Sequence, residues 1–599
     1  MEKYLIFGAG YIGVMALHFL GSMRVSGFID NDEKKQGGNL EGKEIISLDC
    51  FIKKRLDNKI VIAVSDDKCQ DIITQLREKN ITNFCTFSEY KYKETKRKLL
   101  ERTDYIKIYN KAISWVERNT NIGEGIICNS NFTKSYPEVT GYYIPTLLKW
   151  GYKELAVQYA KWLCKIQLDD GSWQDTGGNN SYIFDTAQIL KGLIAIRLQI
   201  PEVDKHIIKG CDWILSNMTP DGRLVSPLKN AWGDGKTFSE LIHTYCISPI
   251  KEAGEIFERQ EYIVAANQMA IYYTTKCKDS ILTFDLLSHF YAYVMEAMID
   301  IGRNDLAKEA MDKIASIQKA SGAVPAYNNC DWVCSTGLFQ LALVWYRLGN
   351  RKNADKAFNY ACKLQNETGG WYGSYFSEDN QDEKNTYFPD AEISWANKYF
   401  LDALYYKNVA TFEEESSIFC SSISESDGRY ECIKNLICST LPNAKILDIG
   451  CGKGRYIINL SRECPDKLFF AVDLSEKVMN YFFVNDVIKK RGNLTDIPYS
   501  DDYFDVVYTC EALEHAVDIR SAVREICRVT RSGGKVAVLD KNKEKLGFLE
   551  IEEWEQWFDE NELKQEMLKY CTDVQIIKNI SYDNKDADGL FYCWIGTKK

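Results

Sequence analysis

Between residues 99 and 409 the apolar positions follow a helical period, and the helices they predict are of two kinds. Stretches such as "AKWLCKIQ" and "CDWILSN" carry one apolar and one polar face, which suits an outer layer. Stretches such as "SYIFDTAQILKGLIAI" and "WVCSTGLFQLALVWY" are apolar nearly all round, which suits an inner layer. The two kinds alternate. Flanking this block, short apolar runs end in glycine turns, as strands do before helices: "YLIFGAGYIG" near the start and "AKILDIGCGKG" after residue 443.

The helical block is a repeat. Each amphipathic stretch ends on Gln or Asn, at positions 119, 167, 217, 318 and 365. These lie about 50 residues apart, with one double gap that the degenerate copy "MAIYYTTKCKDS" fills near 275. Six helical hairpins are therefore expected, closed into an (α/α)6 toroid, because closure removes the end faces that an open array must cap. "QLDDGSW" (167–173) and "QNETGGW" (365–371) then read as outer-to-inner connectors. Their glycine makes the turn, and Gln and Trp pack on the neighbouring unit.

The Q-x-x-D-G-x-W pattern resembles the QW repeat of terpene cyclases, and the toroid resembles glycan lyases, unsaturated-uronyl hydrolases and sugar epimerases. The acidic DxDD motif of the cyclases is missing, which favours sugar over terpene. In such toroids the starts of the inner helices line a central cavity. That implies a funnel holding Tyr136, Glu138, Asp185, His243, Tyr245, His289, Asp390 and Glu392. Glu138 and Asp185 are the candidate acid–base pair, and Tyr136, His243, His289, Asp390 and Glu392 the candidate substrate contacts. Each could equally be a helix cap or a buried hydrogen-bond partner.

Residues 1–92 form a separate α/β block. Gly8, Gly10 and Gly13 follow the first strand, and Asp30 closes the second, about 20 residues on. The first glycine permits the tight turn, the second lets backbone approach a diphosphate, and the third brings helix close to strand. "GFIDNDEKKQG" and "IVIAVSDDKCQDIITQLREKNI" resemble the N-terminal domain of bacterial nucleotide-sugar acetyltransferases. The crevice is thus expected to take a nucleotide-sugar or NAD.

Residues 425–599 carry the clearest chemistry. "AKILDIGCGKGRYIINL", "KLFFAVDLSEKV", "RGNLTDIPYSDDYFDVVYTCEALEH" and "REICRVTRSGGKVAVLD" resemble class I S-adenosylmethionine-dependent methyltransferases of the ubiquinone/menaquinone group. The resemblance implies a Rossmann-like seven-stranded sheet. It also implies cofactor contacts from Asp448, Gly450, Cys451, Gly452, Gly454, Asp473, Leu474, Asn493, Leu494 and Glu511. Asp473 would take both ribose hydroxyls and Leu474 would pack on the adenine. Asn493 stands where the family usually has an Asp that accepts from the adenine amino group; its amide oxygen can still accept. Arg455 occupies the place where a dinucleotide fingerprint would need glycine. His515 is the candidate general base, with a structural loop contact as the rival role.

Composition narrows the setting. The 599 residues carry a net charge of −11, which disfavours a nucleic-acid partner. No apolar run reaches transmembrane length, and the N-terminus lacks the basic start and cleavage site of a signal peptide. Twenty cysteines without a C-x-x-C pair point to reduced thiols in a cytoplasm. Only Cys330 and Cys334 approach ligand spacing, and no metal site is expected. Together these features predict methylation of a sugar or glycan in surface polysaccharide synthesis. The alternatives are a toroid that is itself a lyase, hydrolase or epimerase, and a non-catalytic scaffold with an appended methyltransferase.

Overall fold

The first strand, β1 (Tyr4–Phe7), is wholly buried and runs directly into the glycine turn that starts helix α1 (Tyr11–Leu20). The computed structural model describes residues 3–87, 89–90, 104–226, 241–376, 387–545, 555–583 and 585–599. It divides into two compact units, Met1–Thr103 and Asp104–Lys599.

In the first unit, β1 pairs in parallel with β2 (Val25–Ile29) and with β5 (Lys59–Ile62). β3 (Asn39–Leu40), β4 (Lys43–Ile46) and β6 (Phe84–Thr86) complete the order β3-β4-β2-β1-β5-β6. Helix α2 (Leu48–Lys53) precedes β5, and α3 (Asp66–Glu78) links β5 to β6.

The second unit opens with helices in pairs. The outer members are α4 (Tyr105–Arg118), α6 (Lys153–Ile166), α8 (Asp204–Ser216), α10 (Gln260–Lys276), α12 (Asn304–Ile317) and α14 (Arg351–Cys362). The inner members are α5 (Pro137–Lys149), α7 (Ile183–Ile196), α9 (Ile247–Ile256), α11 (Ser288–Asp300), α13 (Ser335–Arg347) and α15 (Ser394–Glu415). Each inner helix packs on the next, and α15 packs on α5. Hydrogen bonds from Tyr143 to the Ser394 carbonyl and from Thr146 to Asp402 join the last helix to the first. A two-stranded antiparallel ladder of β7 (Trp332–Cys334) and β8 (Ser374–Phe376) sits among the loops.

The connectors repeat in detail. Gln167 donates to its own Gly171 carbonyl and to the His206 carbonyl of α8; Gln318 does the same to Gly322 and Asn353. Gln365 bonds Gly369 and the Ile108 carbonyl of α4, so the last connector is tied to the first outer helix. A Cβ on Gly171 would lie 2.2 Å from the Lys209 carbonyl oxygen, and one on Gly369 would lie 2.1 Å from that of Lys111. Only glycine, with its positive φ, lets the connector lie against the next helix there.

Beyond α15, helix α16 (Gly428–Cys438) leads into β9 (Lys445–Ile449), α17 (Ile457–Glu463), β10 (Leu468–Asp473), α18 (Glu476–Met479), β11 (Val487–Arg491) and β12 (Phe504–Cys510). Helix α19 (Ile519–Val529), β13 (Thr530–Lys541), α20 (Glu560–Leu568), β14 (Cys571–Ile580) and β15 (Phe591–Lys598) follow. The sheet has seven strands in the order β11-β10-β9-β12-β13-β15-β14. β15 lies antiparallel between β13 and β14, and the remaining strands run in one direction. The order turns back between β9 and β12, and at such a switch point α/β sheets open a crevice at the carboxyl ends of their strands.

Candidate active site

That crevice is a cavity of about 380 Å³. The β9 turn supplies Asp448, Gly450, Cys451, Gly452 and Arg455; β10 supplies Asp473 and Leu474. The loops after β11 and β12 add Asn493, Leu494, Glu511, Glu514 and His515. The helical pairs contribute too, through Trp150 after α5 and through Asn408 and Phe412 of α15.

The three glycines divide the labour. A Cβ on Gly450 would strike the Ala512 Cβ at 2.4 Å, and one on Gly454 would strike the Phe482 ring at 2.8 Å, whereas Gly452 faces open space. Gly452 is thus the one at which a ligand can approach the backbone. Gly454 packs outside the cavity wall. The Gly452 N–H donates to Asp473 Oδ2 and the Ser475 N–H to Oδ1, both at 2.9 Å. Each carboxylate oxygen keeps a further acceptor direction, the pair of bonds that vicinal ribose hydroxyls require. Tyr508 holds Asp448 at 3.0 Å, and burial pushes the Asp448 carboxyl up to about 7.

Glu511 sits at φ 51° and accepts from Arg429 at 3.2 Å, Arg455 at 2.9 Å and Tyr456 at 3.3 Å, all on Oε1. Arg429 is itself buried and forked onto Asp427. This buried charge network holds Glu511 at the cavity wall, and its strained backbone is a feature of functional turns. It was not legible from the sequence, because Asp427 and Arg429 precede β9 and belong to none of the motifs that follow.

His515 lines the cavity with its ring edge-on to Phe412, centroids 5.3 Å apart. Burial pushes the imidazole down to about 4, well below the value expected of a base working near neutrality. At pH 7 it is a neutral acceptor. Beside it, Glu514 Oε1 pairs with Lys541 at 2.6 Å, while burial and the neighbouring Asp540 raise the Glu514 carboxyl far above the ordinary range.

The ring residues scatter from the expected funnel. Tyr136 donates to Asp185 at 3.3 Å, and Asp185 Oδ1 is buried without a partner. Burial pushes Asp185 up to about 8, and burial with Asp185 nearby raises Glu138 strongly. His243 is buried on its 3-10 turn with Nδ1 unpartnered. The other expected contacts are placed as follows. Tyr245 stacks on Phe184 and Tyr293, part of an aromatic cluster with Tyr142 and Tyr399 that fills the space between inner helices. His289 bonds Gln340 and lies among Tyr293, Phe290 and Trp395, so its ring is packed core. Glu392 accepts from Trp115 at 2.7 Å, from Asn366 at 2.8 Å and from Thr368, which binds it to the connector rather than to a ligand. Asp390 lies exposed in a turn.

In the first unit, a Cβ on Gly8 would meet the Ala63 carbonyl oxygen at 2.5 Å and one on Gly13 the Gly8 oxygen at 1.9 Å, while Gly10 has nothing within 4 Å. The Asp30 carboxylate accepts from Ala9 at 2.7 Å, from Asp32 at 2.9 Å and from Lys35 at 3.1 Å. Burial pushes its pKa up, but these donors outweigh it and hold the group below its ordinary value. Two of its acceptor directions are therefore committed to the turn.

Against known proteins, the likeness falls on the second sheet. Residues 447–538 match the family model described as a methyltransferase domain. Demethylmenaquinone methyltransferase of Roseiflexus castenholzii is 31% identical over 114 residues, 18% of this chain and 48% of that protein. The 27-O-demethylrifamycin SV methyltransferase of Amycolatopsis mediterranei is 32% identical over 106 residues, 16% of this chain and 38% of that one. A crystal structure of a methyltransferase from Thermotoga maritima shares 20% identity over 31% of this chain and 98% of its own, with a TM-score of 0.26. The chain spans about half the length of the first curated relatives it matches. No helix among the described residues is long and apolar enough to cross a membrane.

Proposed function

We propose that this chain transfers the methyl group of S-adenosylmethionine to a hydroxyl of a sugar or glycan intermediate, and that the helical pairs form an (α/α)6 toroid that holds the acceptor. The observation that carries the reading is the shared cavity: cofactor-type residues on β9 and β10 and ring residues Asn408 and Phe412 line one space. Asn408 lines that wall, and its Oδ1 is buried without a partner.

Bound sulfonium supplies an activated methyl carbon, so the protein's task is mainly to align the attacking atom. Asp473 holds the ribose, Gly452 leaves room for the methionine portion, and Glu511 offers its second oxygen to the ammonium group. Neutral His515 accepts a hydrogen bond from the hydroxyl and orients it, and the proton passes to solvent as the new O–C bond forms and the S–C bond breaks. Glycan analysis of a deletion strain tests the reading: it predicts loss of one O-methyl signal, and an unchanged pattern rejects it.

A second reading rests on the Glu138–Asp185 pair. Two buried carboxyls, both raised by burial and set beside Tyr136, suit a separate acid–base reaction among the inner helices, as in a lyase, hydrolase or epimerase. Such an enzyme would still process the glycan after Asp473 is removed. In the first unit, the open space over Gly10 leaves room for the diphosphate of a nucleotide-sugar or NAD.

A further inference from the structure

Where α5 ends, the chain turns through Lys149, Trp150 and Gly151 directly against the loop that follows β11. Thr495 Oγ1 donates to the Lys149 carbonyl at 2.6 Å. A hydroxyl has one proton, so Thr495 can only accept from Asn493 Nδ2, 2.8 Å away. Asn493 Nδ2 also lies 3.3 Å from the Lys149 carbonyl, so its N–H is shared between that oxygen and Thr495. The amide nitrogen is thus held on the Lys149 side, and a flipped amide would set Oδ1 against the Lys149 carbonyl. Asn493 Oδ1 is left for the cavity that Asn493 lines.

The same turn is pinned from several directions. Gly151 has φ 82°, and a Cβ there would come within 2.9 Å of the Thr495 carbonyl oxygen. Its own carbonyl accepts from Arg524 at 2.5 Å, and Lys153 bonds Glu525 at 2.8 Å. Tyr109 and Tyr152 both donate to Asp518 at 3.1 Å. Trp150 is 2% exposed, held by the Leu401 carbonyl at 3.2 Å, and lines the cavity beside the Asn493 loop.

We propose that the helical ring is part of the cofactor site: the Lys149 carbonyl, with Thr495, sets the Asn493 amide so that its oxygen accepts from the adenine amino group, and Trp150 walls the same end. This rests on the S-adenosylmethionine reading above. It gives a reason for Asn rather than Asp at 493, since a carboxylate would set a second acceptor against the Lys149 carbonyl. Lys149 and Trp150 act here as positioning groups, remote in sequence from the methyltransferase motifs.

Calorimetry of the full chain with S-adenosylmethionine, and with adenosine as a probe of the adenine end alone, tests this. Asn493→Asp changes no volume, and at pH 7.5 it is expected to weaken both ligands at least tenfold, about 1.4 kcal/mol. Trp150→Leu is expected to do the same, and Trp150→Phe to lose less. Either Asn493→Asp or Trp150→Leu binding both ligands at wild-type affinity, with a melting temperature showing it folded, overturns the inference. Failure of the wild type to bind S-adenosylmethionine rejects the cofactor reading first, and this inference with it.

Discussion

The Tyr136 hydroxyl donates to Asp185 Oδ2 at 3.3 Å, across the step from the first to the second inner helix. The other Asp185 oxygen is buried with no partner, and Glu138 lies close enough to raise its own pKa through Asp185. A cap would satisfy the oxygens of Asp185 on backbone amides. Here one oxygen is left over, which is an unfavourable arrangement for structure alone.

Asp185→Asn should therefore stabilise the protein more at high pH than at low. With the folded carboxyl pushed up to about 8, against an ordinary Asp value of about 3.9, the group favours the fold while protonated. That contribution is complete below pH 4 and disappears as pH rises through 8. The melting temperature of the Asn variant, relative to wild type, should climb between pH 5 and pH 8. A constant difference across that range would remove the protonated pair from the account.

Glu392 should behave in the opposite way. Its replacement by Ala strands the buried Trp115 N–H together with the Asn366 and Thr368 donors. Each unsatisfied buried donor costs roughly 1–3 kcal/mol. Glu392→Ala is expected to lower the melting temperature by several degrees while leaving S-adenosylmethionine affinity unchanged; impaired cofactor binding in a folded variant would mean that the connector reading is incomplete.

The glycines of the first unit separate folding from binding. Gly13→Ala would set a methyl group 1.9 Å from the Gly8 carbonyl oxygen, whereas Gly10→Ala meets nothing within 4 Å. Hydrogen exchange over residues 3–90 should speed up in the first variant and stay at the wild-type rate in the second. Equal protection in both would show that α1 moves away from β1 without cost.

Burial of His515 gives a spectroscopic test. The chain has five histidines, few enough for selective labelling. With the imidazole pushed down to about 4, its carbon-bound proton signals should hold still from pH 8 to pH 5.5. A titration centred near the ordinary value of about 6.5 would restore the base expected from sequence.

What the sequence made legible was whatever a single local rule compels. The glycine turns after β1 and β9 follow from backbone sterics, and the repeated Gln–Gly connectors follow from a fixed spacing that survives divergence. The inner-helix residues were harder. His243, Tyr245 and His289 occupy corresponding positions, yet Tyr245 and His289 ended in an aromatic core because neighbouring helices filled the space with Phe184, Tyr293 and Trp395. Helical periodicity says which face is inward; it is silent on whether that interior is hollow. The bond from Asn493 to Lys149 spans 344 positions between unlike motifs, and no pattern along the chain announces it.

The central claim is that the cavity over Gly452 and Asp473 binds S-adenosylmethionine. Titration calorimetry of wild type and Asp473→Ala tests it most directly. Wild type should bind one cofactor per chain. The variant loses two hydrogen bonds to a charged acceptor, each worth roughly 1.5–3 kcal/mol, so its affinity should fall by about two orders of magnitude or more. An Asp473→Ala protein that binds S-adenosylmethionine as tightly as wild type would contradict the account.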